Sequence, residues 1–212
     1  MAAAGSPPVA AVLVIAGDGD GDGDGGGGGG GAGDGGARPG LAALLGAERL
    51  AALEQALVRG AREWAEGVAP GRVRVVAATG SAALGEASAR AFAASGGPVL
   101  LVWPVLPFWR PEHAAGALDD LAHECDVSVG PVYDGGFYLV ALARPAPALF
   151  AVPDEAWSGA DALSLVLGAV HAGGMQAGLL RAERGLRGAA DVRAALADPL
   201  LAPELRAILE DR

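Results

Sequence analysis

The sequence predicts an α/β fold, an open, mixed but mainly parallel sheet with helices on both faces, and three observations predict it. Short valine-rich apolar runs alternate with longer alanine- and leucine-rich segments of helical period, the rhythm of strands separated by helices. The run GGPVLLVWP at 96–104 is apolar at almost every position, as strands covered on both faces are. Finally, DVSVGPV and GGFYLVALA are joined through Tyr133-Asp134-Gly135, a link too short for a parallel crossover, so one of the two strands runs antiparallel to its neighbours.

The elements follow in chain order. VAAVLVIA at 9–16 imitates the apolar part of a secretion signal. No positive charge precedes it and the following Gly-Asp run is a poor cleavage region, so a buried first strand is the preferred reading. Residues 17–36 hold 14 glycines, five aspartates and one alanine, which can bury no apolar surface against the entropy of ordering; 17–38 reads as a disordered Gly/Asp-rich insertion. In 41–66, Leu41, Leu44, Leu45, Leu53 and Leu57 fall near one face of a long amphipathic helix, with a break expected near Gly46. RVRVVAAT is the next strand, followed by a helix over 84–94, the strand of 96–104 and a helix over 111–123 with proline near its start. After the two strands around Tyr133 come a helix at 160–172, a strand at MQAGLLR, and helices at 189–197 and 203–210. The whole chain, 1–212, reads as one domain, the default for 212 residues.

Composition narrows the function. All 15 basic residues are arginine, which removes every lysine-dependent chemistry, and the formal charge of −10 disfavours nucleic acid, whose binding rests on clustered cations. The single cysteine, Cys125, fits a reducing compartment, and no apolar stretch reaches the roughly 18 residues of a membrane span. A cytoplasmic protein that binds neither nucleic acid nor membrane is the expectation.

In an open α/β sheet, ligands bind beyond the carboxyl ends of the strands. The loops after Ala16, after Val102 and around 130–136 therefore carry the candidates. In GPVYDGGFYLVAL, Gly130, Gly135 and Gly136 permit close backbone approach and Asp134 offers a carboxylate; an Asp-Gly hairpin turn is the competing reading of the same residues. A zinc site from His113, His123 and Cys125 lacks paired ligands, so a buried cysteine with two surface histidines is preferred. Trp103, Phe108 and Trp109 read as packing before they read as stacking platforms for a base or sugar, and Arg110 as solvated surface. The Gly-Asp run has neither the apolar period of a calcium solenoid nor the glutamate of an EF-hand loop.

GPVYDGGFYLVAL, the following PxPxLF and then Trp157-Ser158 closely resemble a bacterial family of nucleotide-diphospho-sugar-transferase-like proteins. These are described as glycosyltransferases or as transferases associated with radical-SAM and selenoprotein domains, and are similar to the guanylyltransferases for phospholactate and molybdenum cofactor. The resemblance is strongest over 98–205. It implies a Rossmann-like, three-layer fold of the glycosyltransferase A type. It also implies transfer of a nucleotidyl or glycosyl group from a nucleotide or nucleotide-sugar, with Mg or Mn on the phosphates. Carried over, its ligand-binding positions are Gly130, Pro131, Asp134, Gly135, Gly136, Phe137, Trp157 and Ser158, with Asp134 the best catalytic candidate.

Three departures stand beside the match. Where the family has P-x-P-G-x-x-K-T-R-L, this chain has the Gly-Asp run, whose carboxylates would repel a phosphate by ~1 kcal/mol in water and by more where solvent is excluded. The metal aspartate of G-x-D-x-P-x-L-x-P aligns with Val105, which offers no oxygen to a hard cation. In the family's D-V-D-T-P-x-D-L, the first two aspartates become Gly185 and Arg187. No metal ligand is expected, and the chain reads as a degenerate member with weak or no metal-dependent catalysis. The alternatives are a working transferase with a rearranged site, using Asp134 with Asp126 or Asp161 and charge from Arg38, and a non-catalytic homo- or heterodimer partner of an intact paralogue.

Overall fold

The computed structural model describes residues 11–16, 39–77, 80–157 and 159–210. The expected Gly/Asp insertion, together with Arg38 and Ser158, lies outside the described residues. Six strands form one sheet: β1 (Ala11–Ala16), β2 (Val73–Ala77), β3 (Val99–Val102), β4 (Val127–Pro131), β5 (Phe137–Leu142) and β6 (Ala177–Leu179). Their order is β2-β1-β3-β5-β4-β6. β5 pairs antiparallel with both β3 and β4, while the β1–β2, β1–β3 and β4–β6 pairs are parallel. The short link through Tyr133 thus has the expected consequence, and β5 is the strand reversed.

Among the described residues, six α-helices accompany the sheet: α1 (Pro39–Val68), α2 (Ser81–Ser95), α3 (Pro111–Ala122), α4 (Ala162–Ala172), α5 (Ala189–Ala197) and α6 (Pro203–Leu209). Side-chain alternation along the central strands builds two cores. Leu13, Ile15, Val99, Leu101, Val140 and Leu142 face α2 and α4. Val12, Val14, Leu100, Val102, Leu139 and Ala141 face α1 and α3. A third cluster joins α1 to α5 and α6 through Leu41, Leu53, Leu57, Val192, Leu205 and Leu209. α1 is interrupted at Gly46, whose φ of 75° is left-handed backbone that glycine adopts without a Cβ penalty. The break lets the first turns of α1 lean over the end of the sheet, where Gly40 lies against the backbone of Arg187 and Gly188.

Because β5 is the only reversed strand among the described residues, the carboxyl ends of β1, β2, β3, β4 and β6 share one edge with the start of β5. The segments 103–110, 132–136 and 180–188 therefore converge there. Backbone bonds stitch them together: Leu186 N donates to Val105 O at 2.8 Å, Glu183 N to Pro131 O at 3.0 Å and Tyr133 N to Glu183 O at 3.2 Å.

Candidate functional site

The convergence of these loops brings Asp134, Val105, Gly185 and Arg187 together, although they come from three separate stretches of chain. The Val132–Gly136 turn closes through Val132 N to Gly136 O at 2.9 Å and Gly135 N to Val132 O at 3.2 Å. Gly135 has φ 90°, and a Cβ there would fall 1.9 Å from the carbonyl oxygen of Ala160, so two physical demands require glycine. The turn presents Asp134 with its side chain 42% exposed. Gly185 sits against Val105 and Val132: a Cβ on it would lie 3.4 Å from Val132 Cγ1 and 3.6 Å from Val105 Cβ. This wall, where two carboxylates would be expected by resemblance, is hydrocarbon.

Arg187 supplies the charge. Its Nε lies 2.9 Å from Asp134 Oδ2, with the side chain 28% exposed. The Nε is buried without a well-directed hydrogen bond, so the pair is held chiefly by charge. The guanidinium passes over Gly136, where a Cβ would come 2.6 Å from Nη2; the glycine makes room for the arginine. Asp191 fixes the backbone beneath it. Its Oδ2 accepts from Gly188 N at 3.0 Å and Arg187 N at 3.2 Å, and its Oδ1 holds Arg184 Nη1 at 3.0 Å. Arg184 in turn lies 5.6 Å above the centre of the exposed Tyr133 ring, within cation–π range.

The other sequence candidates divide. Pro131 is half-buried at the end of β4, and Asp161 is exposed at the start of α4, beside the Gly135 turn. The room at Gly130 is taken by the ring of Tyr138, 2.4 Å from where a Cβ would stand. Phe137 and Trp157, carried over as ligand-binding positions, have their rings buried in the core at 2% and 5% exposure. Trp157 stacks between Trp103 and Phe150, centroids 5.8 and 5.4 Å away, and its Nε1 is spent on Ser81 Oγ at 2.8 Å. Asp126 precedes β4 whereas Asp134 follows it, so the length of the strand, about 3.3 Å per residue, separates them. Asp126 is instead tied to Arg144 at 2.8 Å and to Gln176 N at 2.9 Å; these contacts, the backbone bond foremost, hold its carboxyl below the usual range. It belongs to the opposite end of the sheet and drops out of any site with Asp134.

The histidines also need correction. His123 is exposed, but His113 is buried at 6%, and Cys125 is half-buried with its thiol pushed up by burial and then by Asp120 and Asp126. The sequence offered no periodic signal for His113, because its burial depends on β5 and on residues after β6. It touches Tyr138 and Trp109, centroids 5.0 and 5.8 Å away, with Glu183 Oε1 3.6 Å from its Nε2. Glu183, Arg184 and Asp191, three residues that motif reading missed, line a cavity of about 230 Å³ together with Phe108 and Arg110.

Among the described residues, no group of three or more His, Cys, Asp or Glu could hold a metal ion. The donor set at the converging loops does not fit the divalent cation that the resemblance implies: Asp134 is paired with Arg187, Asp191 with Arg184, and Glu183 faces His113. A hard cation there would have to displace Arg187 and would find valine and glycine on the facing wall.

Residues 41–159, more than half of the 212, match the model of a family described as "Uncharacterized protein conserved in bacteria (DUF2064)". The chain belongs to this family. It is also similar to a crystal structure described as "putative nucleotide-diphospho-sugar transferase from Desulfovibrio desulfuricans G20", with a TM-score of 0.64 and 17% identity over 95% of this chain and 94% of that one. At that identity the match shows the fold: this family member has the architecture of a nucleotide-diphospho-sugar transferase. No curated protein matches it. Among the described residues, no helix is long and apolar enough to cross a membrane.

Proposed function

We propose that the protein is a degenerate nucleotide-diphospho-sugar-transferase-like member of its family: a cytoplasmic binding protein for a nucleotide or nucleotide-sugar that uses no divalent cation and has weak or no transferase catalysis. The observation that carries this reading is the Arg187–Asp134 pair at 2.9 Å. A carboxylate that held a metal would have to be free to ligate, and this one is paired with a guanidinium, whose planar fork matches a carboxylate. The fold and the shared carboxyl edge of the strands support a ligand at this place. The charges around it, Arg184 with Asp191 and Arg187 with Asp134, are paired, so a naked cation is not strongly attracted.

Calorimetry with GTP and with UDP-glucose, each with and without Mn, tests the reading. Binding that is indifferent to Mn, with no release of nucleotide product, is expected. Tight Mn-dependent binding overturns it. Metal-free turnover would instead favour a second reading, a working transferase with a rebuilt site, for which the placement of Arg184 and Arg187 on one loop is the specific support. Co-purification of an intact paralogue from the native host would point to a role as its non-catalytic partner.

A further inference from the structure

We propose that His113 is an acid-operated latch on the loop after β3: on taking up a proton at Nδ1 it loses the bond from Arg110 N and loosens the Arg110 end of that loop, whose residues 106–110 help line two cavities among the described residues. The present geometry holds the latch shut. Arg110 N donates to His113 Nδ1 at 3.3 Å, and His113 N donates back to Arg110 O at 3.1 Å, so the first turn of α3 and the end of the loop are tied reciprocally. An Nδ1 that accepts has no proton, which places the proton of the neutral ring on Nε2. That nitrogen is buried without a hydrogen-bond partner, 3.6 Å from Glu183 Oε1.

Protonation reverses the ring-nitrogen relation and leaves the backbone bond from His113 N to Arg110 O. Nδ1 becomes a donor facing the Arg110 N–H, and a positive charge appears at the N-terminal end of α3, where the helix dipole disfavours it. The imidazolium is drawn instead toward Glu183, the charged group facing it from the segment after β6. β5 contributes Tyr138, whose hydroxyl, raised by burial, stays neutral and donates to Arg181 O at 3.4 Å. From its own helix come Arg110, which opposes the charge, and Glu112, which favours it. α1 presents Trp64, whose ring lies 4.7 Å from Trp109 and whose Nε1 donates to Arg110 O at 2.8 Å, so a shift of Arg110 reaches the tryptophan pair directly. Burial, the largest influence, holds His113 below the ordinary histidine range of about 6.5. The latch is therefore closed at neutral pH and opens only in acid.

Leu106 and Pro107 line both the 230 Å³ cavity beside Glu183 and a larger groove of about 530 Å³ between α1 and α6; Trp109 lines the groove and Arg110 the cavity. Opening the latch alters both at once.

The test is an acid titration of the full chain, read by tryptophan fluorescence and by the Arg110 amide and His113 ring-nitrogen resonances. The expected result is one reversible step below pH 6.5, with helical circular dichroism unchanged, in which Arg110 and His113 titrate with the same midpoint. His113→Asn keeps an acceptor near Nδ1 and cannot titrate in this range; it should abolish the step. Glu183→Gln should move the midpoint to lower pH. The proposal is overturned if the step survives in His113→Asn, or if the wild-type chain shows no step before it unfolds globally. Should His113→Asn fail to fold, the wild-type spectrum decides: a neutral ring protonated on Nδ1 overturns the latch, and one protonated on Nε2 with a coincident Arg110 shift upholds it.

Discussion

Adjacent residues of β5 send aromatic rings to opposite faces of the sheet, and the two clusters they enter are finished to different degrees. On the face under α2 and α4, Phe137 meets Trp103 and Trp157, and Trp157 stacks in turn on Phe150. The one polar atom that Trp157 brings is satisfied by Ser81, whose hydroxyl donates onward to Val152 O at 2.6 Å. On the face under α1 and α3, Tyr138 meets Trp109 and His113, and both Trp109 Nε1 and His113 Nε2 are buried without a hydrogen-bond partner. Aromatic area stabilises both; polar completion separates them. A buried polar group left unpaired costs about 1–3 kcal/mol, so the second cluster stores what the first has resolved, and it stores it beside the loops of the candidate site.

The largest effect should come from dismantling the finished cluster. Trp157→Ala is expected to cost about 3–5 kcal/mol in urea unfolding, the range for deleting a buried aromatic side chain. A loss under 1 kcal/mol would show that the cluster can collapse onto the vacancy. Ser81→Ala should cost about 1–3 kcal/mol by stranding the Trp157 Nε1. The mirror experiment on the other face sharpens the contrast: Trp109→Phe trades the indole for a smaller aromatic ring and deletes an unpartnered N–H, so the two effects offset and stability should change by less than about 1 kcal/mol. Equal losses from Trp109→Phe and Ser81→Ala would break the comparison.

His113 makes the second cluster pH-dependent. Its folded pKa lies below the unfolded value of about 6.5, so the folded state binds fewer protons than the unfolded state in the window between them. The neutral histidine contributes fully above pH 6.5, and that contribution is lost as pH falls through the folded value. Unfolding midpoints measured from pH 7.5 downward should fall in this window, and less so in His113→Asn. The smallest effect belongs to the exposed pair: Arg187→Ala should cost no more than about 1 kcal/mol, because solvent screens Asp134. Its informative readout is Mn affinity, which should rise once the carboxylate is unpaired. An affinity that stays flat would show that Asp134 cannot ligate even when free.

Much of the fold was legible because it rests on local pattern. The alternation of Val12 to Ile15, the apolar continuity of Val99 to Val102, Pro111 opening α3 and Gly46 breaking α1 are each written within a few consecutive residues. The short Tyr133 link even implied a reversed strand. Less of the candidate site could be read this way. Motif position marked Asp134, Val105, Gly185 and Arg187, but it did not reveal that Arg187 closes on Asp134. It also placed Asp126 in a cleft it does not reach and put His113 on the surface.

The sequence by itself determined the element types, the mainly parallel sheet and the presence of valine, glycine and arginine at 105, 185 and 187, because periodicity and residue identity are properties of neighbours along the chain. Tertiary structure alone decided which of those residues meet. The order β2-β1-β3-β5-β4-β6 carries segments 103–110, 132–136 and 180–188 to one edge, and only there do Arg187 neutralise Asp134 and Glu183 face His113. Such pairings depend on distances between segments up to about 80 residues apart in sequence, and a linear pattern contains no term for them.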